Sequence, residues 1–253
     1  VRNALGPELA GPFAAFVAVM IVFGFAAPNF LSRATFGSVA FQLPELGLLT
    51  LAMLLPILTG GLNLAITFTA NMAGLTLAWV LQSQGGGYGS IIGIPVPLLI
   101  FIACVLIWHV LLTRMKLGFN TYMIGSNIEA TRYSGINTRK VQVLVYTLSG
   151  AMCAVAGIIM LARFNSVRVG HGESYLLITV LACFLGGVNP FGGFGRVIPV
   201  FVALVVLQLL SSGLNLMGAS QHLATAVWGI LMITVMILRW LAGRLKFLNT
   251  NRG

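Results

Sequence analysis

Carboxylates, histidines and cysteines, which most often perform chemistry in proteins, are scarce and scattered in this sequence. The chain has no Asp, and its ionisable or nucleophilic candidates are Glu8, Glu45, Glu129, Glu173, His109, His171, His222, Cys104, Cys153 and Cys183. A Ser-His-Asp arrangement is therefore impossible, and no segment matches the nucleotide-binding pattern G-x-x-x-x-G-K-[ST]. The cysteines lie in apolar stretches without a C-x-x-C pair, as small buried hydrophobic residues do. We expect no catalytic residue, no metal site and no cofactor.

Neutral polar residues inside apolar stretches offer hydrogen bonding instead. Asn63, Thr67 and Asn71 recur every four residues, so they would share one face of a helix. Amides and hydroxyls suit an uncharged, polyhydroxylated solute, and polar groups inside membrane spans tend to line a pathway. They also bond neighbouring helices, and the sequence leaves these two roles open. Weaker pathway candidates are Gln42 and Asn215, with Phe184 as an apolar gate.

The elements that would position these residues are membrane helices. Hydrophobic residues make up 58% of the 253-residue chain and charged residues 7%, whereas a soluble domain carries about a quarter charged residues. Most of the surface must therefore face lipid or other protein. A spanning helix needs about 20 mostly apolar residues. Eight stretches approach this length: Ala10–Ala27, Leu43–Leu58, Leu62–Leu81, Val96–Leu112, Val141–Leu161, Tyr175–Leu185, Ile198–Leu210 and Leu223–Leu241. We predict an all-α, polytopic transmembrane bundle forming one domain over residues 1–253.

The sixth and seventh stretches are short and flank a glycine-rich segment at residues 186–195. Such interruptions indicate discontinuous helices that line a cavity. The predicted break residues are Gly186, Gly187, Gly192, Gly193 and Gly195. We expect Gly192, Gly193 and Gly195 to allow close helix approach or left-handed backbone.

The positive charges predict the orientation. If the N-terminus is cytoplasmic, the inner side holds Arg2, Arg114, Lys116, Arg132, Arg139, Lys140, Arg196, Arg239, Arg244, Lys246 and Arg252. The outer side then holds only Arg33, Arg163 and Arg168. This asymmetry places both termini in the cytoplasm, and it fits membrane loops better than a nucleic-acid surface. The first apolar run lacks a small-residue cleavage site, so we interpret it as a span rather than a signal peptide.

The longest inner loop covers residues 113–140 and contains a short predicted helix over Asn127–Ser134. Ser126 and Glu129 have the spacing of a capping box, in which each side chain bonds the other residue's backbone N–H, and Gly135 supplies a stop. A helix of about two turns is marginal alone in water. The sequence therefore favours a docking element over a solvated turn. Its residues are Asn127, Ile128, Glu129, Ala130, Thr131, Arg132, Tyr133 and Ser134.

Several motifs resemble those of the ribose-type (simple sugar) ABC permease family. The segment 125–137, GSNIEATRYSGIN, is similar to that family's G-x-N-x-x-A-x-x-x-G-I pattern. Residues 185–187 and 192–195 resemble its L-G-G…G-G-x-G stretch, and residues 212–218, SGLNLMG, resemble N-G-L-N-L-L-G. With Gly60–Leu64, the similarity covers most of the chain.

The resemblance implies a membrane-spanning subunit of a bacterial ABC importer in the inner membrane. Its partners would be a second permease subunit, two cytoplasmic ATPase subunits and an external solute-binding protein. The capped helix would be the coupling helix that contacts the ATPase. The solute would be a pentose, hexose, polyol or autoinducer-2, whereas more distant relatives carry branched-chain amino acids or nucleosides.

Two features depart from the family. Asn63 stands where the family has an Asp, and the segment between Gln84 and Ile91 lacks about two hydrophobic helices. The join at Gly85–Gly87 is consistent with a deletion or with a missing segment. A secondary transporter and a membrane scaffold remain as rivals. A secondary transporter normally needs an intramembrane ionisable group, and the acidic candidate, Glu45, is interpreted as an interfacial cap.

Overall fold

The computed structural model describes residues 7–27, 30–84, 96–164 and 173–220, with scattered residues between 223 and 237. These residues form helices and turns without a strand, which confirms the all-α prediction for them. The helices are α1 (Pro7–Ala26), α2 (Arg33–Leu58), α3 (Ile66–Gln84), α4 (Val96–Arg114), α5 (Lys116–Ser126), α6 (Ile128–Tyr133), α7 (Thr138–Phe164), α8 (Glu173–Leu185) and α9 (Val197–Leu216). Residues 226–231 are helical as well.

Helix α2 is the central element of the bundle. It packs against α4, α7, α8 and α9, and its side chains are buried almost continuously from Leu43 to Leu58. Helix α1 packs on α9, and α3 packs on α7. Helix α2 begins at Arg33, ten residues before the predicted stretch. The Ser32 hydroxyl accepts the Thr35 N–H at 3.3 Å and caps this N-terminus.

Four described helices are long and apolar enough to cross a membrane: residues 33–58, 97–114, 138–161 and 197–216. Residues 11–26 and 175–185 form shorter apolar helices. The outer surface is apolar too, since Phe25 is 91% exposed and Leu106 is 60% exposed. A surface of this kind faces lipid or other protein. The predicted count of eight spans and the cytoplasmic termini stay predictions, and the termini and the join at 85–87 lie outside the described residues.

The predicted loop over residues 113–140 contains a second helix besides the predicted one. Helix α5 lies within this range, and its Ile124 reaches the main hydrophobic core. The helical periodicity of α5 is hard to recognise in the sequence. The helix has only 11 residues, and Lys116, Asn120 and three glycine or threonine residues interrupt its apolar face. Helix α6 follows α5 after the single residue Asn127.

Four glycines bring the ends of three elements into backbone contact. We call Gly60, Gly125, Gly192 and Gly193 the glycine junction. The Gly193 N–H donates to the Leu58 carbonyl at the end of α2 at 3.0 Å, and a Cβ added to Gly125 would collide with both of these backbone groups. A Cβ on Gly193, where φ is 75°, would lie 2.6 Å from Ser126 Oγ. The junction therefore ties the end of α5, just before α6, to the C-terminal end of α2.

The other predicted break residues also have special geometry. The dihedral φ is 92° at Gly187, 89° at Gly192 and 157° at Gly195. At Gly186, an added Cβ would lie 2.7 Å from the Val200 backbone N, which places α8 close to α9. The break between these helices thus combines left-handed turns with close packing.

The glycine junction predicts that Gly193→Val destabilises the protein. A β-branched residue at positive φ costs about 1–3 kcal/mol, and the new side chain meets Ser126. We expect the unfolding temperature of the purified protein to fall by about 5 °C, with less assembled transporter. Gly150→Ala is the control, because nothing lies within 4 Å of its added Cβ. Equal unfolding temperatures for Gly193→Val and the wild type would contradict the role of the junction.

Candidate coupling and translocation sites

Helix α6 is capped at both ends, but its N-cap is not the predicted residue. The Asn127 side-chain oxygen accepts the Ala130 N–H at 3.0 Å. Ser126 instead ends α5, where its hydroxyl donates to the Tyr122 carbonyl at 2.9 Å. The predicted capping box is therefore wrong. Ser126 lies in a helix, and a helical residue cannot supply the extended backbone that an N-cap requires.

Glu129 has a different partner from the predicted one as well. Its carboxylate pairs with Arg132 at 3.8 Å, and the side chains are 65% and 71% exposed. An exposed pair of this kind contributes about 0–1 kcal/mol. Glu129 also lies in the first turn, where a negative charge interacts favourably with the helix dipole.

The C-terminus of α6 has the geometry of a Schellman motif. Gly135 follows the helix at φ 80°, the position at which the sequence predicts a stop. The Gly135 N–H donates to the Arg132 carbonyl, and the Ile136 N–H donates to the Thr131 carbonyl. Ile136 then packs against the main core, which fixes the exit of the chain toward α7.

Most of the α6 surface is exposed. Only Thr131 is buried, at 1% exposure, whereas Tyr133 is 89% exposed. Arg132 lies on α6, Arg139 and Lys140 lie at the start of α7, and Arg196 precedes α9, so the same end of the bundle carries these basic groups. Arg33 lies at the opposite end of α2. A rigidly held helix with an exposed aromatic residue and neighbouring cations can bind a partner.

Asn63 does not share a helical face with Thr67 and Asn71. Because α3 begins only at Ile66, Asn63 lies in the turn before it. Its amide donates to Ser149 Oγ at 3.0 Å, and its oxygen accepts the Ala65 N–H. The predicted arrangement is therefore wrong for this residue. A turn, rather than the predicted start of the third span, follows Gly60.

The Asn63 contact belongs to a polar link between helices. Pro56 has no N–H to bond the carbonyl four residues earlier, that of Ala52. Ser149 on α7 donates to this carbonyl at 2.7 Å, and Ser149 accepts from Asn63. The hydroxyl thereby satisfies a buried acceptor that proline leaves open. This geometry favours the packing role for Asn63.

Thr67 and Asn71 are buried on α3, with 3% and 6% exposure. The Asn71 side-chain oxygen has no hydrogen-bond partner among the described residues. Phe184 is 5% exposed and belongs to the main core near the end of α8. The pathway role of Thr67, Asn71 and Phe184 stays a prediction. Asn215 is exposed at the end of α9, where it lines a cavity together with Gln42.

Glu45 is not an interfacial cap. It lies within α2, is 1% exposed and accepts a hydrogen bond from the Tyr175 hydroxyl at 2.9 Å. The cap interpretation placed the start of the second span at Leu43, whereas the helix begins at Arg33. The Glu45 carboxyl group therefore links α2 to Tyr175 on α8.

Two features of the sites are absent from the sequence prediction. The glycines at positions 60 and 125 form the junction with Gly192 and Gly193, and no sequence signal marks this, because a glycine's spatial neighbours cannot be read from one sequence. Gln208, Ser211, Ser212 and Asn215 recur at the spacing of one helical face in α9. This second feature was readable, and it marks the side of α9 that faces the cavity.

These features define a multi-pass helical membrane protein with an exposed, capped helix at one end. A family model described as "Branched-chain amino acid transport system / permease component" matches residues 88–236, more than half of the chain. The chain therefore belongs to this family of transport permeases.

Curated relatives confirm the resemblance to ribose-type permeases. The chain is 36% identical over 178 residues to the ribose import permease protein RbsC of Bacillus subtilis, covering 70% of this chain and 55% of the relative. It is 34% identical over 148 residues to the autoinducer 2 import system permease protein LsrD of Yersinia enterocolitica, covering 58% of this chain and 45% of the relative. It is 33% identical over 151 residues to the L-arabinose transport system permease protein AraH of Escherichia coli, covering 60% of this chain and 46% of the relative. The chain spans about half the length of these relatives. No solved structure matches.

The cap assignment predicts opposite outcomes for two neighbouring residues. Asn127→Ala removes the acceptor of the Ala130 N–H and should cost about 1 kcal/mol of helix stability. Hydrogen exchange of the Ala130 amide should therefore accelerate about fivefold. Ser126→Ala should leave that rate unchanged, because Ser126 bonds within α5. If Ser126→Ala accelerates the exchange and Asn127→Ala does not, Ser126 is the N-cap and the capping-box prediction is correct.

Asn71 supplies a test that separates pathway from packing. Because its oxygen has no partner in the described part of the chain, Asn71→Leu should not lower the unfolding temperature. If the side chain lines the pathway, solute uptake by the assembled complex falls all the same. Thr69→Val is the matched control, since Thr69 is half-buried on the same helix and its hydroxyl bonds only the Ala65 carbonyl four residues earlier. Dissociation of the complex by Asn71→Leu would support packing instead.

Proposed function

We propose that this chain is a membrane-spanning permease subunit of an ATP-driven ABC importer for a sugar or sugar-like solute. The membrane would be the bacterial inner membrane, with the α6 end in the cytoplasm. The observation that carries this proposal is α6 itself. In a chain of a transport-permease family, it is a short helix that is capped at both ends, joined to the core by the glycine junction and exposed at Tyr133.

The exposed helix is the proposed contact with a cytoplasmic ATPase. The residues Asn127–Ser134 form this coupling element, and Tyr133 is its most exposed large side chain. A large aromatic group with neighbouring arginine is typical of residues that dominate interfaces. Hydrolysis of ATP would occur in the separate ATPase subunit, so the permease is not itself the enzyme.

The solute class is proposed from the relatives together with the polar residues. The names of the relatives specify ribose, L-arabinose and autoinducer 2. The polar candidates Thr67, Asn71 and Asn215 are uncharged, as a neutral polyhydroxylated solute requires. The description of the family model supports a second candidate, a permease for branched-chain amino acids. A nucleoside permease and a secondary transporter without an ATPase are weaker alternatives.

The functional assembly would contain two permease subunits, either two copies of this chain or this chain with a related one. Two ATPase subunits would bind on the cytoplasmic side and a solute-binding protein on the other. Selection among sugars would reside mainly in that binding protein. The permease would then supply a pathway with general affinity for hydroxyl groups.

The coupling proposal predicts a loss of activity without a loss of folding. Tyr133→Ala and Arg132→Glu change exposed side chains, and surface substitutions usually alter stability by less than about 0.5 kcal/mol. We expect each to lower ATP hydrolysis stimulated by loaded binding protein at least tenfold in the reconstituted complex. Membrane insertion and sugar binding by the external protein should not change.

Phe25→Ala is the matched control, because Phe25 on α1 is equally exposed but far from α6 in the chain. Wild-type hydrolysis and uptake in both α6 variants would exclude α6 as the coupling element. Purification of the native complex without any ATPase would exclude the importer assignment altogether. Uptake of L-leucine rather than sugars would favour the second candidate.

A further inference from the structure

Two polar stripes face each other at the end of the bundle opposite to α6. On α2, Thr35, Ser38 and Gln42 recur after three and four residues and therefore share a face. On α9, Ser211, Ser212 and Asn215 form the matching stripe. Helix α2 runs toward the glycine junction and α9 starts beside it, so the two helices are antiparallel and their polar ends coincide.

Between these stripes lies a cavity of about 420 Å³. Its volume falls within the range of about 300–1,000 Å³ that is usual for small-molecule pockets. The six polar side chains of the two stripes contribute to its lining, and no described lining residue is charged. The cavity residue Gln42 and the junction end of α2, Leu58, are separated by about 24 Å along α2, at 1.5 Å per residue. The cavity is thus well separated from the coupling helix.

A chain of amide hydrogen bonds underlies the cavity. Gln208 Nε2 donates to Gln42 Oε1 at 2.9 Å, and Gln42 Nε2 donates to Ser38 Oγ at 2.7 Å. Gln208 is 2% exposed, and its side-chain oxygen has no hydrogen-bond partner among the described residues. Gln208 does not itself line the cavity, so its hydrogen bond holds the amide of Gln42, which does line it. Gln42 uses one of its two N–H groups for Ser38, and the second N–H can bond a ligand.

The lining selects for one kind of ligand chemistry. A charged ligand would lose its hydration and find no opposite charge among the described lining residues. An apolar ligand would leave the hydroxyls and amides unpaired, which sites of this kind reject strongly. A zwitterionic amino acid has both charges and fits poorly for the first reason. A neutral molecule with several hydroxyl groups can exchange its water contacts for contacts with both stripes.

We propose that this cavity is a binding site for a neutral polyhydroxylated solute, located at the mouth of the bundle away from α6. The proposal rests on the proposed function as a sugar permease. It adds the location of the site and the prediction that amino acids and sugar acids are excluded.

A cysteine placed in the cavity tests this proposal directly. Ser211→Cys changes one atom, and the native residues Cys104, Cys153 and Cys183 are buried, so their background labelling should be low. The complete complex is treated with a small polar methanethiosulfonate reagent, without and with D-ribose, L-arabinose, D-glucose or myo-inositol. We expect the sugars that the complex transports to slow labelling at least threefold, and L-leucine and D-gluconate to have no effect.

The control places a cysteine at Met115, whose exposed side chain lies between α4 and α5, at the end of the bundle away from the cavity, and makes no cap hydrogen bond. Labelling of Met115→Cys should not respond to any sugar. If the complex transports a sugar that protects neither cysteine, the cavity is a polar seam between helices and the proposal is wrong. If none of the panel is transported, the proposed function fails first.

Transport kinetics provide a second readout. Asn215→Leu should raise the KM for sugar uptake about tenfold, because it removes a hydrogen-bonding group from the site. Thr147→Val should leave KM unchanged, because the Thr147 hydroxyl on α7 bonds only its own helix. An unaltered KM in Asn215→Leu, or protection of Ser211→Cys by L-leucine as strong as that by sugars, would overturn the proposal. If Asn215→Leu prevents assembly, the labelling of Ser211→Cys decides.

Discussion

The contact of backbone with backbone at the glycine junction is the constraint on which the rest of the structure depends. Gly125 allows the end of α5 to meet the Leu58 carbonyl, and the Gly193 N–H donates to the same carbonyl. No side chain can be inserted there without moving α2 or the loop before α9. Because α6 follows α5 after a single residue, its position is determined by this contact. A force applied to α6 therefore acts, through α5, on the C-terminal end of α2.

Helix α2 can transmit such a force because it is packed continuously from Leu43 to Leu58. It packs mainly against α4, α7, α8 and α9. The carbonyl that Pro56 leaves open is bonded by Ser149, which joins the lower half of α2 to α7. At the other end, Gln42 accepts from Gln208 and joins α2 to α9. The same helix thus meets the end of α5, next to α6, at one end and lines the polar cavity at the other.

The features that follow from local chemistry could be predicted from the sequence, and those that depend on spatial neighbours could not. The all-α architecture, the helical segment near residue 130 and the stop at Gly135 follow from composition, turn residues and periodicity. Ser126 and Asn127 are both good N-caps, and the choice between them depended on where α5 ends. The interfacial interpretation of Glu45 was wrong because the polar residues over 33–42 interrupt the apolar pattern, although these ten residues are helical. The roles of Asn63 and Gly125 required knowledge of Ser149 and Gly193, which are distant in sequence.

The central proposal is that α6 and the distant polar cavity belong to one mechanically connected unit, which the proposed ATPase partner would drive. The most direct test compares the rate of thiol labelling of Ser211→Cys in the complete complex without nucleotide and with a non-hydrolysable ATP analogue. The account predicts that the two rates differ at least threefold, and that Tyr133→Ala, which weakens the contact at α6, removes the difference. Identical rates in the two nucleotide states, in a complex that still transports sugar, would contradict it.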